Sequence, residues 1–347
     1  MLKILLAPAA ALYGMGVKFR NALYEKGLLT GERFDIPIIC IGNITVGGTG
    51  KTPMAEFVID YMSQMHNVAL LSRGYGRRTK GYLEVSVDSH YREVGDEPLQ
   101  IKRKFPSTVV VVCEKRAEGI RRIQSEHPEV DLIVMDDGFQ HRRVEAKINI
   151  VMIDATRPIQ YDKLLPLGDL RDVPESLHRA HYFVVTKCPP NMSPLDRRLF
   201  HKVLIQFAYQ RIYYTRFESF RPQPIFPADA VLETLGPEQQ VIGLSGIGNP
   251  KPFIDTLREQ FTLKEAVTLE DHHVYRVGDM HRLSGMLARY PEAVIVTTEK
   301  DAVKMIRSSR IPADVRARLY YQPINISFIK DSGADFLQKL EKDVRRN

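Results

Sequence analysis

Cysteine is scarce: Cys40, Cys113 and Cys188 are the three in 347 residues. Their number is odd and no C-x-x-C pair occurs, which argues against a disulfide framework and fits a reducing compartment. Cys40 and Cys113 sit in or beside apolar β-branched runs, as packing thiols do, and none of the three is assigned to metal or catalysis. Long apolar runs are also missing. A bilayer-spanning helix needs about 20 residues, and the nearest approach, Met1 to Val17, is interrupted by Lys3, Pro8, Gly14 and Gly16. Three readings of that segment stay open. It could be a signal peptide with Lys3 ahead of an apolar core. It could be a helix lying in the membrane interface, with Lys18, Arg20 and Lys26 near the head groups. It could also be an ordinary packing helix. No repeat, no low-complexity segment and no interleaved aromatic and basic motif for nucleic acid is present.

What is there is ordinary globular composition, 44% hydrophobic and 26% charged. The net charge of +7 favours anionic partners, whether nucleic acid, lipid head groups or phosphorylated substrates, without choosing among them. Short β-branched runs alternate with helical periodicity. Strands are expected at Ile38–Ile41, Val68–Leu71, Val109–Val112, Leu132–Met135, Ile148–Ile153 and Phe183–Thr186, and helices at Pro53–Gln64 and Ala117–Ser125. The pattern predicts a mainly parallel sheet with helices on both faces, its ligands beyond the carboxyl ends of the strands. The rhythm changes after Lys187, and the proline-rich stretch Arg221–Ala228 follows. A second α/β pattern then runs through Val241–Leu244, Ala293–Thr297, a single strand Tyr320–Ile329 and a terminal helix Ala334–Arg346. The expected division is a P-loop core over 1–210 and a smaller α/β domain over 211–347.

The first strand runs into Gly42-Asn43-Ile44-Thr45-Val46-Gly47-Gly48-Thr49-Gly50-Lys51-Thr52-Pro53, and a helix starts at once. Strand, glycine-rich loop, Gly-Lys-Thr and helix in that order read as a P-loop. Backbone N–H groups of Thr45 and Gly47 through Thr52 would surround phosphates, Lys51 would reach the β- and γ-phosphates, and Thr52 would bind Mg²⁺. Such a site needs cytosolic nucleotide, which counts against a signal peptide. The strict pattern wants glycine at 45, where this chain has Thr45. Asp131-Leu132-Ile133-Val134-Met135-Asp136-Asp137 is an apolar strand ending in two acids, the type that holds Mg²⁺ or its water. Gln140 and His141 follow and could position a nucleophile or phosphate. Ser72-Arg73-Gly74-Tyr75-Gly76-Arg77-Arg78 suits an anion loop or a solvated basic turn. Gly95-Asp96-Glu97-Pro98 could cap a helix. Asp271-His272-His273 has metal-ligand residue types without accompanying acidic motifs. Thr297-Thr298-Glu299-Lys300-Asp301 is a candidate for phosphate or sugar contacts.

Taken in order, Gly47 to Pro53, Ser72 to Gly76, Gly95 to Pro98, Asp136 to His141, Asp271 to His273 and Thr297 to Asp301 resemble the motif series of the tetraacyldisaccharide 4'-kinase family. The resemblance runs from the N-terminal helix to about Lys304. It implies transfer of the ATP γ-phosphate to the 4'-hydroxyl of a tetraacylated glucosamine disaccharide 1-phosphate, giving lipid IVA. It implies two α/β domains joined by a two-stranded linker, here Arg211–Phe217 and Tyr320–Ile329. It also implies an N-terminal helix docked on the cytoplasmic face of the inner membrane. Carried over by motif, Asp96 and His272 would deprotonate the sugar from opposite domains, and Arg73 and Arg171 would contact phosphates. Asp172, where the family often has the longer Glu, joins Thr52, Asp136 and Asp137 as a candidate metal ligand. A sugar alcohol is a poor nucleophile, so a positioned base fits the reaction. Acyl chains leave a bilayer at about 0.8 kcal/mol per CH₂, so the enzyme should come to the lipid. The competing expectations are a P-loop kinase or ligase for a soluble metabolite, and a nucleotide switch or nucleic-acid binder.

Overall fold

The near-continuous apolar runs fold as strands buried on both faces, as parallel sheets require. The computed structural model describes residues 2–346, so Met1 of the apolar opening segment and Asn347 of the expected second domain lie outside the described residues. In chain order the strands are β1 (Ile38–Gly42), β2 (Val68–Ser72), β3 (Leu83–Glu84), β4 (Val109–Val112), β5 (Leu132–Asp136), β6 (Ile148–Asp154), β7 (Tyr182–Thr186), β8 (Arg211–Ser219), β9 (Gln223–Pro224), β10 (Gln240–Ser245), β11 (Thr262–Thr268), β12 (Val294–Thr298), β13 (Leu319–Gln322) and β14 (Ile324–Phe328). The helices are α1 (Leu2–Glu25), α2 (Lys51–Met62), α3 (Tyr91–Val94), α4 (Asp96–Lys104), α5 (Arg116–Glu126), α6 (Pro194–Leu204), α7 (Lys251–Gln260), α8 (Val277–Arg289), α9 (Glu299–Met305), α10 (Ala313–Ala317) and α11 (Gly333–Arg345).

Nine strands form one sheet in the order β14-β8-β7-β6-β1-β5-β2-β4-β3, parallel from β8 to β4. Alternation sorts its side chains. Ile39 and Ile41 of β1 pack with Met54, Val58 and Ile59 of α2, while Ile38 and Cys40 pack with Ile120 and Ile123 of α5. All three cysteines are free and buried. The second sheet runs β11-β10-β12-β13-β9, with α8 and α9 against one face and α7 against the other.

The expected single strand Tyr320–Ile329 is two strands that belong to different sheets. β13 pairs with β12 in the small sheet, and β14 pairs with β8 in the large one. Pro323 separates them. It has no N–H to donate to a ladder, and its carbonyl accepts from Phe220 N at 2.9 Å. The chain thus passes between the sheets twice, side by side, at residues 220–222 and at Pro323. After the second crossing α11 returns to the large sheet, where Phe336, Leu337, Leu340 and Val344 are buried in the same cluster as Met54 and Val58 of α2. Each such side chain contributes roughly 1.5–3 kcal/mol, so the last helix is part of the support beneath the P-loop helix. The lobes also meet directly where α4 packs on α9.

Candidate active site

The register of β1 against β5 brings the first two motifs together. Ile41 pairs with Asp136, so the acid pair ends its strand beside the start of the glycine-rich loop. The loop turns through Gly47 at φ +89° and Gly50 at φ +90°. A Cβ at Gly50 would lie 2.7 Å from Phe217 Cζ, so both conformation and space demand glycine there. Thr45, the departure from the strict pattern, is held in an antiparallel bridge to Leu170 and needs no left-handed backbone. Within the loop, Asn43 Nδ2 donates to Thr49 Oγ1 at 2.7 Å, and Thr186 Oγ1 donates to the Thr49 carbonyl at 2.9 Å. Gly50 gives α2 no side-chain cap, which leaves first-turn N–H groups for an outside anion. Open space lies over the Cβ position of Gly48. These features fit a phosphate chain.

Lys51 Nζ lies 3.6 Å from Asp137 Oδ1. Arg171 grips the same carboxylate with both terminal nitrogens, at 3.1 and 2.8 Å, and also bonds Asn43 Oδ1. Burial alone would raise the Asp137 carboxyl, but Lys51 and Arg171 outweigh it and bring it to about 2. Asp136 is the opposite case. Burial, then Glu97 and Asp137, push its carboxyl up to about 7, and its buried Oδ1 has no hydrogen-bond partner. An orphaned carboxylate oxygen beside a phosphate cradle is a fit for a divalent cation, with Thr52 in the first turn of α2. Among the described residues no group of three His, Cys, Asp or Glu side chains could hold a metal by itself. The Asp271, His272 and His273 side chains are turned to separate partners, Lys300, Asp96 and Asp279.

Gln140 Nε2 donates to the Asn43 carbonyl at 2.7 Å, which ties the second motif to the loop. His141 is held neutral, at about 4, by burial and by Arg116, Arg73 and Arg20. Arg73 is exposed. Arg77 of the same stretch is not a free cation, because it pairs with Glu114 at 2.6 Å. Asp172 turns away from the metal candidates. Its Oδ1 accepts from Asn21 Nδ2 of α1 at 2.9 Å and from Val173 N at 2.8 Å, and Arg179 approaches its Oδ2 at 3.5 Å. This carboxylate fastens α1 to the core.

Asp96 opens α4 in the large lobe, and His272 stands in the small lobe at φ +58°. Their side chains meet across the cleft, Nδ1 to Oδ2, at 2.9 Å. Burial works against the Asp96 charge, but His272, Lys300 and Lys304 outweigh it and lower its pKa. The Thr297–Asp301 segment divides its labour. Thr297 bonds the Leu244 carbonyl, Thr298 caps α9, and Asp301 bonds Gly246 N and Lys304, so these three serve the fold. Lys300 alone of the five touches both Glu97 and His272. Asn43 and Lys304 were assigned no role from sequence, and Glu97 and Lys300 only as members of their motifs; all but Lys304 lie inside the motifs, which was the available signal.

Residues 2–345 match the model of the tetraacyldisaccharide-1-P 4'-kinase family. The chain belongs to that family. Relatives called tetraacyldisaccharide 4'-kinase include one from Phocaeicola vulgatus, 36% identical over 99% of this chain and 95% of its own length. Another, from Bacteroides fragilis, is 38% identical over 99% of this chain and 93% of its own. The crystal structure of LpxK from Aquifex aeolicus in complex with ATP superposes with a TM-score of 0.76 at 25% identity, covering 99% of this chain and 100% of that one. As a tetraacyldisaccharide-1-P 4'-kinase family member, the protein is an enzyme of lipid A biosynthesis that phosphorylates the 4' position of a tetraacylated disaccharide 1-phosphate. Among the described residues, no helix is long and apolar enough to cross a membrane.

Proposed function

We propose that the cleft between the lobes runs this phosphotransfer with ATP bound in the loop Thr45–Thr52 and with the Asp96–His272 pair as the base. The observation that carries the reading is the 2.9 Å contact joining two motifs 176 positions apart, next to Glu97, whose charge acts on Asp136 beside the glycine-rich loop. Lys51 binds the β- and γ-phosphates, and Arg171 keeps Asp137 oriented beside it. Mg²⁺, held by Thr52 and Asp136 with Asp137 close by, neutralises phosphate charge when bound. Arg73 contacts a phosphate group, and Gln140 and His141 position the nucleophile or phosphate. The pair removes the proton of the sugar 4'-hydroxyl. Its oxygen bonds to the γ-phosphorus, and the bond from that phosphorus to the β-γ bridging oxygen breaks, releasing ADP. Incubation with γ-labelled ATP, Mg²⁺ and a detergent-dispersed tetraacyldisaccharide 1-phosphate is expected to place label on the lipid, and none on an acceptor lacking the 4'-hydroxyl. Label on water alone would reject the reading.

We also propose that α1 carries the enzyme to the cytoplasmic face of the inner membrane. Leu12, Met15 and Phe19 are 65%, 59% and 67% exposed, and they share one helix face at heptad-like spacing beside Lys18 and Arg20. The other side of α1 is pinned near the catalytic cleft, through Tyr13 to the Arg171 carbonyl and Asn21 to Asp172. Replacing all three apolar residues with Glu should move the folded protein from liposome pellet to supernatant and raise the KM for lipid while leaving nucleotide binding intact. Equal sedimentation of the triple variant would reject the anchor.

A further inference from the structure

The segment 162–172, between β6 and β7, joins two parts of the molecule that the proposed function treats separately: the phosphate loop and α1. On one side it is bonded to the loop through the backbone. Arg171 N donates to the Ile44 carbonyl at 2.7 Å, Val46 N donates to the Asp169 carbonyl at 2.8 Å, and Thr45 bridges Leu170 between them. Arg157 spans the same edge, with Nη1 at 3.3 Å from the Val46 carbonyl and 3.4 Å from Asp169 Oδ2. On the other side the segment carries α1. Tyr13 Oη donates to the Arg171 carbonyl at 2.8 Å. A Cβ placed on Gly14, the next residue, would lie 2.8 Å from Leu164 Cδ1, so helix and segment are in close contact at that turn. The stretch between these contacts is not slack. Leu170 N donates to the Lys163 carbonyl at 2.9 Å and Leu165 N to the Leu170 carbonyl at 3.0 Å. Asp162 Oδ1 accepts from Lys163 N at 2.7 Å and from Asp169 N at 3.0 Å. A segment closed on itself in this way passes a displacement on instead of absorbing it.

We propose that Tyr13 is a positioning residue of the nucleotide site: from α1 it holds Arg171, and through the segment 162–172 it keeps the phosphate loop in the shape that binds ATP. Arg171 is the junction. Its guanidinium grips Asp137, its N–H holds Ile44, and its carbonyl accepts from Tyr13. The loop offers backbone N–H groups to phosphates, so a small displacement of residues 44–46 misaims donors that no side-chain rotation can restore. The helix therefore has two separable sets of residues. Leu12, Met15 and Phe19 face outward, whereas Tyr13 and Gly14 meet the segment. Changes to the first set should cost membrane binding, and loss of the Tyr13 hydroxyl should cost nucleotide binding. This rests on the reading of the loop as the ATP site, but its first measurement needs no nucleotide.

The test is Tyr13→Phe in the full chain, which removes the hydroxyl and keeps the ring. Hydrogen–deuterium exchange without ligand is expected to be faster in peptides covering residues 43–47 and 169–172, and unchanged in β5. Titration with Mg-ADP in the absence of lipid should show a Kd raised about 2- to 10-fold, the worth of one hydrogen bond. The KM for ATP should rise with it, while the lipid KM, liposome sedimentation and the melting temperature stay at wild-type values. The triple Glu variant of the outer face should do the reverse, losing sedimentation and keeping the wild-type Kd. A hydroxyl that merely fastened the helix would lower the melting temperature and leave the nucleotide Kd alone. An unchanged Kd in Tyr13→Phe therefore overturns the proposal. If the wild type fails to bind Mg-ADP, the ATP reading fails instead, and exchange at 43–47 decides alone. Faster exchange then upholds the hold of Tyr13 on the loop, and unchanged exchange overturns it.

Discussion

Lys51→Ala is expected to remove nearly all phosphate transfer while the protein stays folded. Lys51 is the first residue of α2 and faces Asp137 at 3.6 Å, so its ammonium is fixed where the terminal phosphate would lie. Negative charge shifts among phosphate oxygens in the transition state, and a preplaced cation in a water-poor cleft stabilises it without reorganisation. Loss of one such preplaced donor typically costs about 10²–10³ in rate, and a cation should cost at least as much. Folding should survive because Arg171 still holds Asp137 with two bonds. The measurement is turnover alongside a thermal melt. Unchanged turnover at an unchanged melting point would end the assignment of the loop to ATP.

Asp96 and His272 are expected to behave as one unit. Each single replacement, Asp96→Asn or His272→Ala, should lower kcat by roughly 10²–10⁴, the usual worth of a positioned base. The double variant should cost little more than the worse single, because the second change removes a partner already disabled. ATP affinity should hold in all three, since neither residue belongs to the loop. Stability should hold as well. The nearest buried cation, Lys304, keeps its 3.0 Å partner Asp301 when Asp96 loses its charge. The decisive quantity is the coupling in log kcat. Losses that multiply fully would show two independent residues, and the shared role would have to be given up.

Much of this was legible because the relevant signals are local. β1, β2, β5 and β7 are buried on both faces, and an apolar run reads as such without knowledge of its neighbours. β11 was not legible. Thr262, Lys264 and Thr268 point to solvent from an edge strand, so its sequence lacks the apolar density of the inner strands. Asp172 needed the folded chain. It follows Arg171 in a bend just after Leu170, which bridges to the glycine-rich loop, and the two side chains part there. Arg171 therefore reaches Asp137, and Asp172 reaches α1. Lys300 stood inside a recognised motif, but its part depends on acceptors from two lobes that meet only in the folded molecule.

The return of α11 bears on how the chain is made. The buried face of α2, with Met54 and Val58, is covered in part by Phe336, Leu337 and Leu340. A ribosome delivers α2 some 270 residues before α11, counted from Met62 to Gly333. Throughout that interval the nascent chain carries an apolar strip beneath its nucleotide loop with its last cover still unsynthesised, the kind of surface that attracts chaperones or other chains. The small lobe lies between them in sequence and can close its own sheet first. The phosphate-binding half, begun earliest, is therefore finished last, and a stop codon ahead of Phe336 would harm the ATP end of the molecule rather than the end where the chain was cut.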